Sequence, residues 1–168
     1  MTAAERYLSM NAGELRLALE ELYAEYIGCL DEERFEAWPD FFTEPCLYKI
    51  VPRENFERGL PLGIIYATSR AMLRDRVRSL REANVYEAQR YRHIVGLPLI
   101  ELGAEGTARA TTSFLVVRVM HTGETSMFAC GCYRDHIVND ASDGALRFAE
   151  RIVVLDSRQV DTLLALPL

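Results

Sequence analysis

The sequence predicts an α+β fold: N-terminal helices packed in a curved, mainly antiparallel sheet. Three observations point there. Helical apolar patterns come first, and long strand patterns follow as a run, which is the order of α+β chains. The last third holds three stretches rich in Val, Ile, Thr, Phe and Tyr, namely Gly106–Met120, Thr125–Asn139 and Ala145–Leu155, each longer than the usual strand of ~5–6 residues. The connections between them, His121-Thr122-Gly123-Glu124 and Asp140-Ala141-Ser142-Asp143-Gly144, carry the Gly and Asp of tight turns. Three long strands in a meander twist and coil, so they are expected to cup around the helices. Gly131, between Cys130 and Cys132, is the expected bulge.

The elements follow in order. Asn11 caps a helix with Glu14 as its capping-box partner, and the helix runs to about Leu30. Leu15, Leu19, Leu22, Tyr26 and Leu30 share one stripe, with Glu14, Glu21 and Glu25 off it. Asp31 begins a second, shorter helix with Phe35 and Trp38, interrupted by Pro39, and Phe41 and Phe42 follow as buried anchors. Cys46–Val51 is a short strand ended by Pro52, and Pro52–Gly63 is a polar loop of a length that tends to carry function or an interface. A third helix spans about Thr68–Ala83, with Met72, Leu73, Val77 and Leu80 on its apolar face and Arg70, Arg74, Arg78 and Arg81 on another. Glu87–Leu102 is a strand bent at Gly96 and Pro98. Laid in a curved sheet, these helices make a cone with a pocket at its open end, by analogy with nuclear-transport-factor-2-like (NTF2-like) and cystatin-like folds. The 168 residues suit a single domain, 1–168.

Composition narrows the function. A net charge of -6 is unlike the basic balance of a nucleic-acid binder. No run reaches the ~20 apolar residues of a membrane span, and Met1-Thr2-Ala3-Ala4-Glu5-Arg6 lacks the apolar core of a signal peptide. Four cysteines without such a signal read as reduced thiols in the cytoplasm. Of 19 basic residues only Lys49 is lysine, and arginine is the cation favoured at protein interfaces.

The motifs of catalysis are sparse. Cys130 and Cys132 share a strand face, but His136, the next ligand on that face, is roughly 13 Å away at ~3.3 Å per residue, so no metal site is expected. His121 falls at a hairpin end while His136 pairs back near Arg109–Thr111, too far apart for an iron triad of two histidines and a carboxylate. No Walker loop, G-x-S-x-G, G-x-G-x-x-G or H-E-x-x-H occurs. One acid–base possibility remains: Tyr23 or Tyr26, Asp40, and His93 beside Arg92 lining the pocket. The plainer reading makes the tyrosines core rings and His93 a satisfied sheet histidine.

Several segments together resemble the small (beta) subunit of aromatic-ring-hydroxylating dioxygenases. They are Glu20-Glu21-Leu22-Tyr23 with Tyr26, Leu30-Asp31 to Trp38, Tyr48-Lys49-Ile50, Arg53-Glu54-Asn55 and Met72-Leu73-Arg74-Asp75-Arg76-Val77. Tyr91-Arg92-His93, Thr111-Thr112-Ser113-Phe114 and Arg151-Ile152-Val153-Val154-Leu155-Asp156 continue the series across nearly the whole chain. Arg53-Glu54-Asn55, Gly59-Leu60-Pro61-Leu62 and Asp75-Arg76-Val77 are most similar to the terephthalate and salicylate branch. The resemblance implies an NTF2-like, non-catalytic subunit that trimerises and supports a trimer of large (alpha) subunits, α3β3. The Rieske 2Fe-2S cluster, the mononuclear iron and the substrate pocket would lie in the large chain, with no catalytic, cofactor or metal residue here. The alternative is a free-standing isomerase, dehydratase or cyclase of the same fold using Tyr, Asp and His, and a third class is a plain ligand-binding module.

Overall fold

The computed structural model describes residues 11–61, 63–82, 87–103, 107–140, 142–157, 164 and 166–168. The terminus Met1–Arg6, Leu62, the helix end at Ala83, the strand start at Gly106 and the turn residue Ala141 lie outside the described residues.

Helix α1 spans Ala12–Asp31 behind the expected capping box: the Asn11 side chain accepts from the Gly13 and Glu14 N–H groups, and Glu14 takes the Asn11 N–H. Its stripe is buried as read, with Tyr23 and Cys29 added to it. Asp31 ends this helix instead of starting another. Pro39 sits in a short 3₁₀ turn, Trp38–Phe41, where a fixed φ and a missing N–H cost nothing, so the expected second helix contracts to that turn. Phe42 is wholly buried, Phe41 only partly.

Strand β1 is longer than read, Phe42–Pro52, and α2, Arg53–Glu57, replaces the first part of the expected loop. The short β2, Ile65–Ala67, leaves no signal in the sequence, because three residues carry no periodicity. Helix α3, Arg70–Glu82, buries Leu73, Val77 and Leu80, whereas Met72 is 40% exposed. The Met72 N–H meets the Ser69 hydroxyl, which caps the helix start. The arginine face is partly neutralised at home, Arg70 and Arg74 by Asp40 and Arg81 by Glu36.

The bend at Gly96–Pro98 is a break: β3 (Gln89–Val95) and β4 (Leu99–Leu102) each pair antiparallel with β5. Strands β5 (Ala108–Met120), β6 (Thr125–Asn139) and β7 (Leu146–Leu155) form the antiparallel meander. Gly123 and Gly144 take positive φ in its two turns, +88° and +71°. Among the described residues seven strands form one sheet in the order β2-β1-β7-β6-β5-β3, with β4 beside β5, and β1 runs parallel to β7. The sheet is therefore mixed and unclosed, with α1 and α3 against it and one main apolar core between.

Gly131 is not the bulge. It pairs in register with Phe114 and Leu155, and a Cβ there would lie 1.9 Å from the Val154 carbonyl oxygen, so glycine is needed for close approach of β6 and β7. The register shifts within the meander fall elsewhere, at Phe128 in β6 and at Ala149 in β7.

Candidate functional site

The two bulges decide what faces the interior. Alternation along β6 turns Tyr133, Asp135 and Ile137 inward. In β7 the extra residue Ala149 shifts the phase, so Phe148 and Arg151, three apart, both point into the core. Asp135 and Arg151 are cross-strand partners. Arg151 donates from Nε to Oδ1 at 2.9 Å and from Nη2 to Oδ2 at 2.8 Å, with both side chains 0% exposed. From α1, the Tyr23 hydroxyl donates to the same Oδ2. The guanidinium lies against four rings, its Cζ 3.8 Å from the Phe148 centroid, 4.1 Å from Tyr26, 4.4 Å from Tyr133 and 5.1 Å from Tyr23.

The electrostatics follow from this packing. Burial alone would lower the Arg151 pKa, but the Asp135 charge and its hydrogen bonds outweigh it and hold the guanidinium pKa well above normal. Burial raises the Tyr23 pKa, and the Asp135 charge raises it further. Burial is also the first cause of the raised values of Tyr26, Tyr48 and Tyr133. At neutral pH the interior thus holds one compensated ion pair among neutral phenols. Such an arrangement binds itself together, and its carboxylate has no lone pair facing an open cleft.

Beside it lies a tyrosine pair. Trp38 donates from Nε1 to the Tyr26 hydroxyl at 3.0 Å, and Tyr26 donates to the Leu168 oxygen at 3.1 Å. The Tyr48 hydroxyl accepts the Leu168 N–H and donates to the Leu168 oxygen, both at 3.1 Å.

His93 forms a separate group. Its backbone N–H donates to Asp31 Oδ1 at 3.0 Å, its Nδ1 lies 2.7 Å from the same oxygen, and Arg92 Nη1 reaches Asp31 Oδ2 at 3.2 Å. The contact ties the end of α1 to β3, an edge strand whose free N–H the carboxylate takes up. His93 Nε2 is buried with no hydrogen-bond partner among the described residues.

Of the sequence-derived candidates, Tyr23, Tyr26 and His93 are therefore interior, but in two separate groups. Asp40 joins neither: its side chain is 59% exposed and paired with Arg70 and Arg74. The interior carboxylates are Asp135 and Asp31. Asp135 was legible as a charge at an inward position of an alternating strand, and Arg151 was hidden by the bulge.

Two of the four thiols lie elsewhere. Cys132 packs with Val51 and Val154 in a small cluster apart from the main core, and the Cys130 N–H donates to the Ser157 hydroxyl. His136 pairs with Arg109, and His121 lies 3.0 Å from Glu87. Among the described residues no three His, Cys, Asp or Glu side chains converge as metal ligands. A polar groove of about 510 Å³ runs over the outer side of the sheet, between Phe56, Leu99, Arg109, Arg134, Glu150 and Ile152. It passes over Asp135 without exposing that side chain. No helix of the described residues is long and apolar enough to cross a membrane.

Comparison with known proteins places this geometry. Residues 12–152 match the model of the SnoaL-like domain. The chain is 50% identical over 145 residues to the terephthalate 1,2-dioxygenase terminal oxygenase component subunit beta 1 of a Comamonas species, covering 86% of this chain and 93% of that one. It is 44% identical to the anthranilate 1,2-dioxygenase small subunit of Burkholderia cepacia, over 85% of this chain and 88% of that one. A crystal structure from Novosphingobium aromaticivorans, described as the beta subunit of an aromatic-ring-hydroxylating dioxygenase, superposes with a TM-score of 0.81 at 36% identity, covering 91% of this chain and 96% of that one.

Proposed function

The chain belongs to the SnoaL-like domain family, and within it to the beta subunits of aromatic-ring-hydroxylating dioxygenases; on that premise we propose that its part in the oxygenase is structural and that no reaction occurs in its own interior. One observation carries this reading. The Asp135 carboxylate is taken up by Tyr23 and Arg151, with both charges 0% exposed, so the central carboxylate does not reach a cleft where it could meet a substrate. The relatives at 44–50% identity are oxygenase subunits, which supports this role over a free-standing isomerase, dehydratase or cyclase.

The partner is a large (alpha) subunit, which holds the Rieske 2Fe-2S cluster, the mononuclear iron and the substrate. The complex is α3β3, with beta subunits in contact around a trimer. Leu97, 85% exposed, stands with Ile94, Leu99 and Leu102 along the exposed edge formed by β3 and β4, an apolar surface that a lone chain would leave in water. Terephthalate and anthranilate, named in the two relatives, are aromatic carboxylates, and that is the substrate class of the assembled enzyme. Four free cysteines suit the reducing cytoplasm.

Expression with and without a candidate large subunit tests the proposal. The chain alone is expected to be colourless, and iron and acid-labile sulfide are expected to co-purify with the two-chain complex in proportion to the large chain. Stoichiometric iron in the refolded small chain, or turnover of an aromatic carboxylate by it alone, overturns the reading.

A further inference from the structure

The hydroxyls of Tyr26 and Tyr48 converge on one residue, Leu168. Tyr48 takes its N–H and gives a proton to its oxygen, and Tyr26 gives a second proton to that oxygen. These are side-chain readings of a main chain, of the kind a pocket uses on a small amide or acid, and not strand pairing. The tyrosines are held in place by an edge-on aromatic box: Trp38 lies 5.1 Å from Tyr48, Phe42 5.7 Å from Tyr48, and Phe148 5.4 Å from Tyr26. The Trp38 N–H further polarises the Tyr26 hydroxyl toward Leu168. Leu164, Leu166 and Leu168 are all buried in the main core.

The match to the SnoaL-like domain ends at residue 152. All five aromatic residues of the box lie within the matched span, and the leucines that fill the interior lie beyond it. The frame therefore supplies the tyrosine pair, and the segment after the frame supplies what the pair holds.

We propose that Leu166–Leu168 is a ligand held in cis, and that the cone keeps a binding pocket in which Tyr26 and Tyr48 recognise the carbonyl or carboxyl oxygen of a short, branched, apolar amide or acid. The segment and such a molecule compete for one site. The subunit's core is closed by occupancy, so a molecule of this class gains entry only where the segment is displaced.

The test uses the full-length chain carrying Leu164→Asp and Leu166→Asp, which places two carboxylates where buried leucines stand and disfavours docking. Trp38 is the only tryptophan and is one hydrogen bond from Tyr26, so its emission reports the pocket. Release is expected to shift the emission to longer wavelength with far-UV circular dichroism unchanged. Adding the pentapeptide Leu-Ala-Leu-Pro-Leu, as acid or as amide, is expected to reverse the shift saturably. The parent chain, already occupied, is expected to need at least about tenfold more peptide, the factor that about one directional contact supplies. A folded double variant that ignores both peptides overturns the proposal, as does a parent chain that binds them equally well. If the double variant does not fold, Tyr48→Phe replaces it. Hydrogen exchange at the Leu168 amide is then expected to rise by about tenfold while β5 and β6 amides stay protected, and a uniform rise across the sheet overturns the inference.

Discussion

Asp135 and Arg151 face each other across β6 and β7 with two hydrogen bonds of 2.9 and 2.8 Å, and neither side chain is exposed at all. A buried pair of this kind is valuable chiefly because losing one member leaves the other charged and dry. Asp135→Ala is expected to lower stability by ~3–5 kcal/mol. The double change Asp135→Leu with Arg151→Met is expected to recover much of that, since it strands no charge. Urea midpoints with their slopes read the difference, and a single variant within about 1 kcal/mol of the parent would mean that the pair is solvated in solution.

Two glycines are expected to fail for different reasons. Gly131→Ala puts a methyl carbon 1.9 Å from the Val154 oxygen, against backbone that cannot yield without separating β6 from β7. Its expected cost is at the upper end of the ~1–3 kcal/mol of overpacking, or beyond it. Gly123→Ala has open space around it but keeps φ near +88°, which costs an alanine ~1–2 kcal/mol. Melting temperatures that rank Gly123→Ala below Gly131→Ala would contradict the close packing of those strands.

Alkali should unfold the protein through its tyrosines. Tyr23, Tyr26, Tyr48 and Tyr133 are all held above the ordinary value of 10.0, chiefly by burial. The folded state keeps these protons more tightly than the unfolded chain does. Their contribution to stability is thus complete below pH 10 and is lost as pH climbs past it. Of the eight tyrosines, these four are expected to ionise together, in a steep step coincident with loss of circular dichroism. Smooth ionisation of all eight in a protein that stays folded would show that water reaches the interior.

In the assembled oxygenase, Tyr23→Phe and His93→Ala are expected to leave kcat, KM and iron content near the parent values while lowering the melting temperature. Each removes a buried hydrogen bond, to Asp135 or to Asp31, worth ~1–3 kcal/mol with a charged partner. Loss of turnover in either variant, with iron and assembly intact, would restore an acid–base role to this chain.

The sequence by itself determined the local and periodic features. The capping box at Asn11, the Leu15–Leu30 stripe, the two turns at Gly123 and Gly144 and the three long strands are written in spacings of two and 3.6 residues, which need no partner to be read. So were the order of elements that gives an α+β cone and the resemblance that named the beta subunits.

Tertiary structure alone decided what those elements meet. Phe128 and Ala149 bulge because two strands must stay paired while curving, and the bulge at Ala149 turns Arg151 into the centre of the core. Strand β1 lies parallel beside β7, about a hundred residues away in sequence, a pairing that no local pattern encodes. Asp40 was drawn out to Arg70 and Arg74, and Asp135 took the interior place. Leu164, Leu166 and Leu168 are apolar in the sequence, but their place in the core, with Leu168 at Tyr26 and Tyr48, depends on a cavity that exists only once helix and sheet have closed around it.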